Sequence, residues 1–403
     1  MRFAIKQVSC GSERIGTLTG FLKSPSTVIE TPTAALLTQG GSVSHLTAEV
    51  LSKVFSTPQL LWVPVSNSLQ LEPGMKAQGQ GVAKFCGLPD HLVCVTSHNM
   101  SEPTPSGHFE LEKVPLWTKN GKKMVTAERY MDLMEVYKPE IILAIADGRT
   151  SLNEGYKRIL KSLDRTCNML DTCVYRYKAS KKLKESALIG YVHRIIPKHT
   201  REGLDFILTR GEGCTYIFNF FTALFQDALP KDLLRVVEGC WNPAIIVTAI
   251  EHGWDLFDGS YPTKLSNAGH AVNDFNYRYK ADFTPVLEGC ECLTCKKHTR
   301  AYIRHLLNTR EMLSSPCKLL EHATLMTYDS ETWSFTLGLN RTKVIQRAMG
   351  KAMLGASSRN RIRNDEICRR TKVGQGSGQG SLVIEQIVDG AKRFWSVDDV
   401  PKR

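Results

Sequence analysis

The sequence contains no uninterrupted apolar stretch approaching the ~18–20 residues of a membrane-spanning helix, so an integral membrane fold is not expected. Its opening, MRFAIKQVSCGSERIG, has neither a long apolar core nor a small-residue cleavage site, which argues against a secretory leader. No Gly-x-Gly-x-x-Gly follows a strand-like run, and no P-loop is present, so nucleotide-cofactor and NTPase readings lose their usual support. Acidic residues are in deficit: 40 Asp plus Glu face 52 Lys plus Arg, a formal charge of +12. That balance points to an anionic partner, either nucleic acid or a membrane surface. What is present is ordinary for a globular chain. Apolar residues make up 42% and charged residues 23%, which excludes a mainly disordered, collagen-like or fibrous protein. With 403 residues the chain can bury a large core without needing disulfides. Its 12 cysteines, in the absence of a leader, are read as thiols of a reducing cytosolic compartment.

Short apolar runs recur along the chain at Thr33–Leu37, Leu60–Val65, Leu92–Thr96, Ile141–Ala146, Ala187–His193, Leu204–Leu208, Leu233–Val237 and Trp254–Phe257. Several are apolar throughout, as strands covered on both faces are. Amphipathic stretches lie between them. Ala127, Tyr130, Met131, Met134 and Tyr137 fall on one helical face, and Pro139 stands where that helix should stop. Around residues 242–253, Asn242 suits an N-cap, Pro243 the first helical position and Gly253 the C′ position. Alternating β and α elements over this length predict an α/β fold, specifically an irregular (β/α)8 barrel. We place a boundary near Leu339. Residues 1–339 form the barrel, and residues 340–403 form a basic tail expected to be disordered or only locally helical. The tail carries the low-complexity segment Gly374–Ser381.

The strongest chemical signal is Cys290-Glu-Cys292-Leu-Thr-Cys295. Three thiols within six residues can converge on one Zn2+, which takes tetrahedral thiolate and imidazole ligands. A fourth ligand is needed. His322, beyond a helix predicted to run from Arg300 to Leu313, is preferred, with Cys317 as the alternative. A Cys3His set fills every position, so this zinc would be structural, in a subdomain inserted in or appended to the barrel. Lys264, Arg278, Lys280, Lys296, Lys297 and Arg300 surround the motif in sequence and are candidate phosphate contacts. A solvated basic face is the competing reading.

The stretch Leu229-Pro230, Arg235, Gly239, Pro243, Ile246, Ala249-Ile250, Gly253, Asp255-Leu256-Phe257-Asp258 and Pro262-Thr263, followed by the cysteine cluster and Arg300-Ala301-Tyr302, resembles the tRNA-guanine transglycosylases. That resemblance implies a zinc-containing irregular TIM barrel. Its members exchange guanine for a 7-deazaguanine base at the wobble position of tRNA, with an aspartate nucleophile, a second aspartate as acid/base, and an aspartate and a glutamine that read the base. Asp258 matches the nucleophile and Asp147 the base-reading aspartate.

The departures carry as much weight. The nearest string to the family's Thr-Asp-Ser-Gly-Gly is Thr104-Pro105-Ser106-Gly107-His108, where proline replaces the acid/base and cannot carry a proton. Gly190-Tyr191-Val192 stands where Gln-Gly-Gly is expected, and Lys264 where an arginine fork is expected. His322 lies one residue beyond the family's fourth ligand position, which here is Glu321. The pattern is similar to a non-catalytic eukaryotic branch of the family. It implies a heterodimer with a catalytic subunit acting on tRNA (queuine insertion at GUN anticodons), with a homodimer as the alternative assembly. It also implies a cytoplasmic location with peripheral association at the mitochondrial outer membrane. Two other readings compete: an active transglycosylase using Asp258, and a zinc-stabilised scaffold of another class.

Overall fold

Leu60-Leu-Trp-Val-Pro64 and Leu92-Val-Cys-Val-Thr96 are buried at every position. A strand with no exposed face must lie inside a sheet covered on both sides. These two pair in parallel, Leu60 opposite Leu92 through Pro64 opposite Thr96. The computed structural model describes residues 1–8, 13–43, 47–55, 57–102, 110, 112–147, 156–191, 206–210, 232–241, 243–267, 280–285 and 293–309.

Along the described chain the strands are β1 (Arg2–Val8), β2 (Arg14–Thr19), β3 (Ile29–Thr31), β4 (Thr33–Ala34), β5 (Leu36–Gln39), β6 (Ser42–Val43), β7 (Leu60–Pro64), β8 (Leu92–Thr96), β9 (Lys113–Thr118), β10 (Gly121–Thr126), β11 (Ile141–Leu143), β12 (Ala187–Tyr191), β13 (Phe206–Arg210), β14 (Arg235–Glu238) and β15 (Leu256–Phe257). The main sheet has the order β4-β15-β14-β13-β12-β11-β8-β7-β5-β6. Every pairing in it is parallel except the short β5–β6 hairpin. β4 at one end of that order and β5, next to the terminal β6 at the other, are consecutive in the chain: β4 stops at Ala34 and β5 starts at Leu36. The Ala35 N–H donates to Phe257 O at 2.9 Å.

Each of the eight apolar runs thus contains a strand, or in the first case two. The β13 ladder to β14 joins Ile207–Arg210 to Arg235–Glu238, and residues 204 and 205 of that run lie outside the described residues. Paired strand ends at Leu143, yet residues 144–146 stay buried and Ala144 N–H still donates to Ile189 O at 2.8 Å.

The helix Ala127–Tyr137 begins where Thr126 Oγ1 accepts from Arg129 N–H at 3.2 Å and stops at Lys138, whose φ is 48°. Its buried face contains Tyr130, Met131, Leu133, Met134 and Tyr137. Tyr130 Oη donates to Leu143 O at 2.8 Å, tying that face to β11. A longer helix, Tyr156–Ala179, precedes β12, and Pro243–Glu251 links β14 to β15. Gly253, just beyond the latter, has φ 78°, the left-handed geometry expected of a residue past a helix end. Asn242 lies outside the described residues.

A separate antiparallel sheet, β1-β2-β3, carries the N-terminus. Arg14 anchors it. Its Nε and Nη2 donate to Asp255 Oδ1 and Oδ2 at 2.8 and 2.5 Å, and Nη2 also donates to Leu233 O at 2.6 Å. Asp255 Oδ2 accepts from Arg235 N–H at 2.7 Å. Both ionic side chains are almost fully buried. Burial raises the Asp255 carboxyl despite the Arg14 charge, and burial, reinforced by Arg14, lowers Arg235 to about 10.

The chain divides into two compact units, Met1–Trp241 with Ala249–Ser260, and Asn242–Thr248 with the segment from Tyr261 onward. In the second, the described helices are Tyr261–Asn267, Leu293–Lys297 and Arg300–Thr309. Residues 310–403, including the expected boundary at Leu339 and the basic tail, lie outside the described residues. Among the described residues no helix is long and apolar enough to cross a membrane.

Candidate functional site

Parallel α/β sheets place their chemistry at the C-terminal ends of the strands, where loops can gather side chains from several of them. Four such ends carry buried polar groups here. Asp258 follows β15 and is 0% exposed. Its N–H donates to Val237 O at 3.2 Å, so the β14–β15 ladder sets it beside Glu238, the last residue of β14. Glu238 is also 0% exposed and accepts from Thr96 Oγ1, at the end of β8. β8 and β14 are separated in the sheet order by β13, β12 and β11, so this hydrogen bond joins non-adjacent strands.

Burial pushes the Asp258 carboxyl well above the usual carboxylate range, and the Glu238 charge pushes it further. Ser260 Oγ donates to Asp258 Oδ2 at 3.2 Å and only partly offsets this. Asp258 Oδ1 has no hydrogen-bond partner among the described residues. The buried Cys94 thiol, two residues before Thr96 and on the same face, is likewise pushed up by burial, with Glu238 and Asp258 adding to the effect. Burial beside a second acid opposes the charged form of a carboxyl, the form that acts as a nucleophile.

Asp147 sits at the end of the β11 segment, 2% exposed. Its carboxylate accepts from Arg165 Nε at 3.1 Å and from Arg165 Nη2 as well. Its own N–H donates to Thr166 Oγ1 at 3.2 Å.

The string Thr104–His108, read as the remnant of the acid/base segment, lies outside the described residues. By position, the residues that follow β8 directly are Ser97, His98 and Asn99, all buried, and no carboxylate is among them. Glu238, Arg165 and this β8 end were not singled out in the sequence. Glu238 was legible in principle as a polar residue between an apolar run and Gly239. Arg165 was not, because its role depends on where a helix docks.

Of the expected zinc ligands, Cys290, Cys292 and His322 lie outside the described residues, as does Cys317. Cys295 is buried in the helix Leu293–Lys297, while Lys296 and Lys297 beside it are exposed. Among the described residues there is no cluster of three metal-ligating side chains. Of the basic candidates, Lys264 and Lys280 are exposed and Arg278 lies outside the described residues. Arg300 is three-quarters buried at its side chain and pairs with Asp282 through Nη1 and Oδ2 at 3.1 Å. That bond gives it a local structural role at the start of its helix.

A parallel sheet with buried polar groups gathered at its strand ends defines an α/β protein with its candidate site at those ends. The family described as queuine tRNA-ribosyltransferase matches residues 10–331, and the chain belongs to that family. Among its relatives is a protein of Anopheles gambiae named queuine tRNA-ribosyltransferase accessory subunit 2, 30% identical over 80% of this chain and 83% of its own length. An Aedes aegypti protein of the same name is 31% identical over 80% of this chain and 85% of its own. One from Danio rerio, again so named, is 27% identical over 80% and 92%.

Proposed function

We propose that this chain is the non-catalytic accessory subunit of a queuine tRNA-ribosyltransferase, the complex that exchanges guanine for queuine at the wobble position of tRNAs with GUN anticodons. The observation that carries the reading is the placement of Asp258. The residue matching the family's nucleophile is fully buried beside a second buried acid, Glu238, and both burial and that acid oppose its charged form. The string nearest the family's acid/base segment, Thr104-Pro105-Ser106-Gly107-His108, has proline where the second aspartate is expected. General acid–base help is typically worth about 10²–10⁴-fold in rate, so its loss leaves little exchange.

On this reading the main sheet closes into an irregular (β/α)8 barrel. Support comes from β4 and β5, which are consecutive in the chain but lie at the first and the second-to-last positions of the strand order, and from the Thr96–Glu238 bond between non-adjacent strands. One structural Zn2+ is held by Cys290, Cys292, Cys295 and His322. The inward, buried thiol of Cys295 suits a structural ligand, and zinc would supply a tetrahedral crosslink with no open position. The partner is a catalytic subunit in a heterodimer, and tRNA is the shared substrate. Lys264, Arg278, Lys280, Lys296, Lys297 and Arg300 are the residues assigned to its phosphates or their neighbourhood. The complex belongs to the cytoplasm, with peripheral attachment to the mitochondrial outer membrane.

The experiment is co-purification of the chain with a catalytic subunit, followed by radiolabelled guanine exchange on tRNA. The expected result is a stable complex whose activity needs both chains and survives Asp258→Asn. Exchange by the isolated chain, abolished by Asp258→Asn, would instead establish an active enzyme.

A further inference from the structure

Among the described residues, Asp147 is the strand-end carboxylate that a neighbouring helix engages with a charged side chain. Arg165 and Thr166, consecutive residues of Tyr156–Ala179, both engage it, one at the carboxylate and one at the backbone N–H. The Asp147 side chain is 0% exposed and that of Arg165 17%. Two guanidinium N–H groups, on Nε and Nη2, meet the same oxygen, Oδ2.

A planar pair of N–H donors on a carboxylate is the geometry in which arginine surpasses lysine. A guanine-type base presents the same chemistry. Its N1–H and exocyclic N2–H belong to a cyclic guanidine and offer two donors side by side. The Arg165 fork and such a base edge therefore compete for one carboxylate.

Resting on the subunit reading above, we propose that Arg165 fills from within the chain the hydrogen-bonding edge that a guanine-type base would need at Asp147. This subunit then refuses the free base, and the complex holds one base site rather than two. Displacing Arg165 would leave a buried guanidinium without its partner, which costs more than a neutral base returns. Adenine lacks the paired donors and is excluded on different grounds, so base discrimination reports on the edge itself.

The test uses the full chain and 7-deazaguanine as the probe, followed by saturation-transfer NMR. Wild type is expected to give no transfer at millimolar base. Arg165→Ala should bind the probe at least about tenfold more tightly than wild type, the scale of one charge-assisted hydrogen bond regained. Adenine should not compete, added guanidinium ion should, and Arg165→Ala with Asp147→Asn should lose the gain. Arg165→Leu, which removes both the charge and the N–H donors, is the second variant should alanine prevent folding, and the same gain is expected. Probe binding by wild type as tight as by either variant would overturn the proposal, as would a natively folded variant that stays silent. Co-purification with the catalytic subunit is untouched by either result, so the subunit reading would stand or fall separately.

Discussion

Replacing Asp258 with asparagine separates charge from shape at a fully buried carboxyl of the strand-end cluster. Asparagine keeps the volume, and its side-chain oxygen can still accept from Ser260 Oγ. The charge, however, is gone. The groups that face Asp258 are Glu238 from β14, Cys94 from β8 and Ser260 from its own segment. Burial and Glu238 raise its native pKa, whereas an unfolded aspartate titrates near ~3.9. Between those two values the native state keeps a proton that the unfolded state has released. Stability contributed by this group is therefore complete below about pH 4 and falls as pH rises toward the native value, by about 1.4 kcal/mol per pH unit. Across the three units to neutrality the loss cannot exceed about 4 kcal/mol. Asp258→Asn removes the loss. Urea unfolding of wild type and variant at intervals from pH 4 to 8 measures the difference, in which titrating groups remote from Asp258 cancel. The variant should gain on wild type steadily as pH rises. Parallel profiles, or a variant that loses ground with pH, would mean that Asp258 is ionised and well paired, and the account of its inactivity would fail.

Arg14→Met should destabilise by about 3–5 kcal/mol, because it leaves Asp255 buried without its cation. Arg14→Met with Asp255→Leu should recover much of that in thermal melting, and a single variant within about 1 kcal/mol of wild type would contradict it. Purified protein should contain about one zinc per chain, and Cys295→Ser should lose both metal and folding stability, read by metal analysis and circular dichroism. Retained metal would remove Cys295 from the ligand set. Lys296→Ala with Lys297→Ala should weaken tRNA binding by the complex and lower its salt slope by about one unit per lost contact, without altering which base is exchanged. An unchanged slope takes those lysines off the RNA path.

The sheet was legible because apolar runs of strand length have few alternatives once helical faces lie between them. All eight runs hold strands, from Thr33 to Phe257. Their exact limits were not legible: paired strand stops at Leu143 although residues 144–146 stay buried. The helix around Tyr130 was clear from its spacing, with Thr126 as the unremarked cap. At the site, Asp258 and Asp147 could be named, but their states could not. The state of Asp258 depends on Glu238, 20 residues away in sequence and adjacent only through the β14–β15 ladder. That of Asp147 depends on a helix returning over the strand end to deliver Arg165.

The Arg14–Asp255 pair spans 241 positions, and Thr33 and Ala34 wait equally for Leu256 and Phe257. A ribosome adding ~5–20 residues per second needs about 10–50 s to supply that distance. Throughout this interval the nascent chain carries an open β-edge at Thr33–Ala34 and a guanidinium with no counter-charge. Unpaired edges of this kind invite pairing with other chains. Production of this protein is therefore most exposed to aggregation before the eighth apolar run is made, and chaperone cover during that window, rather than after release, should govern its yield.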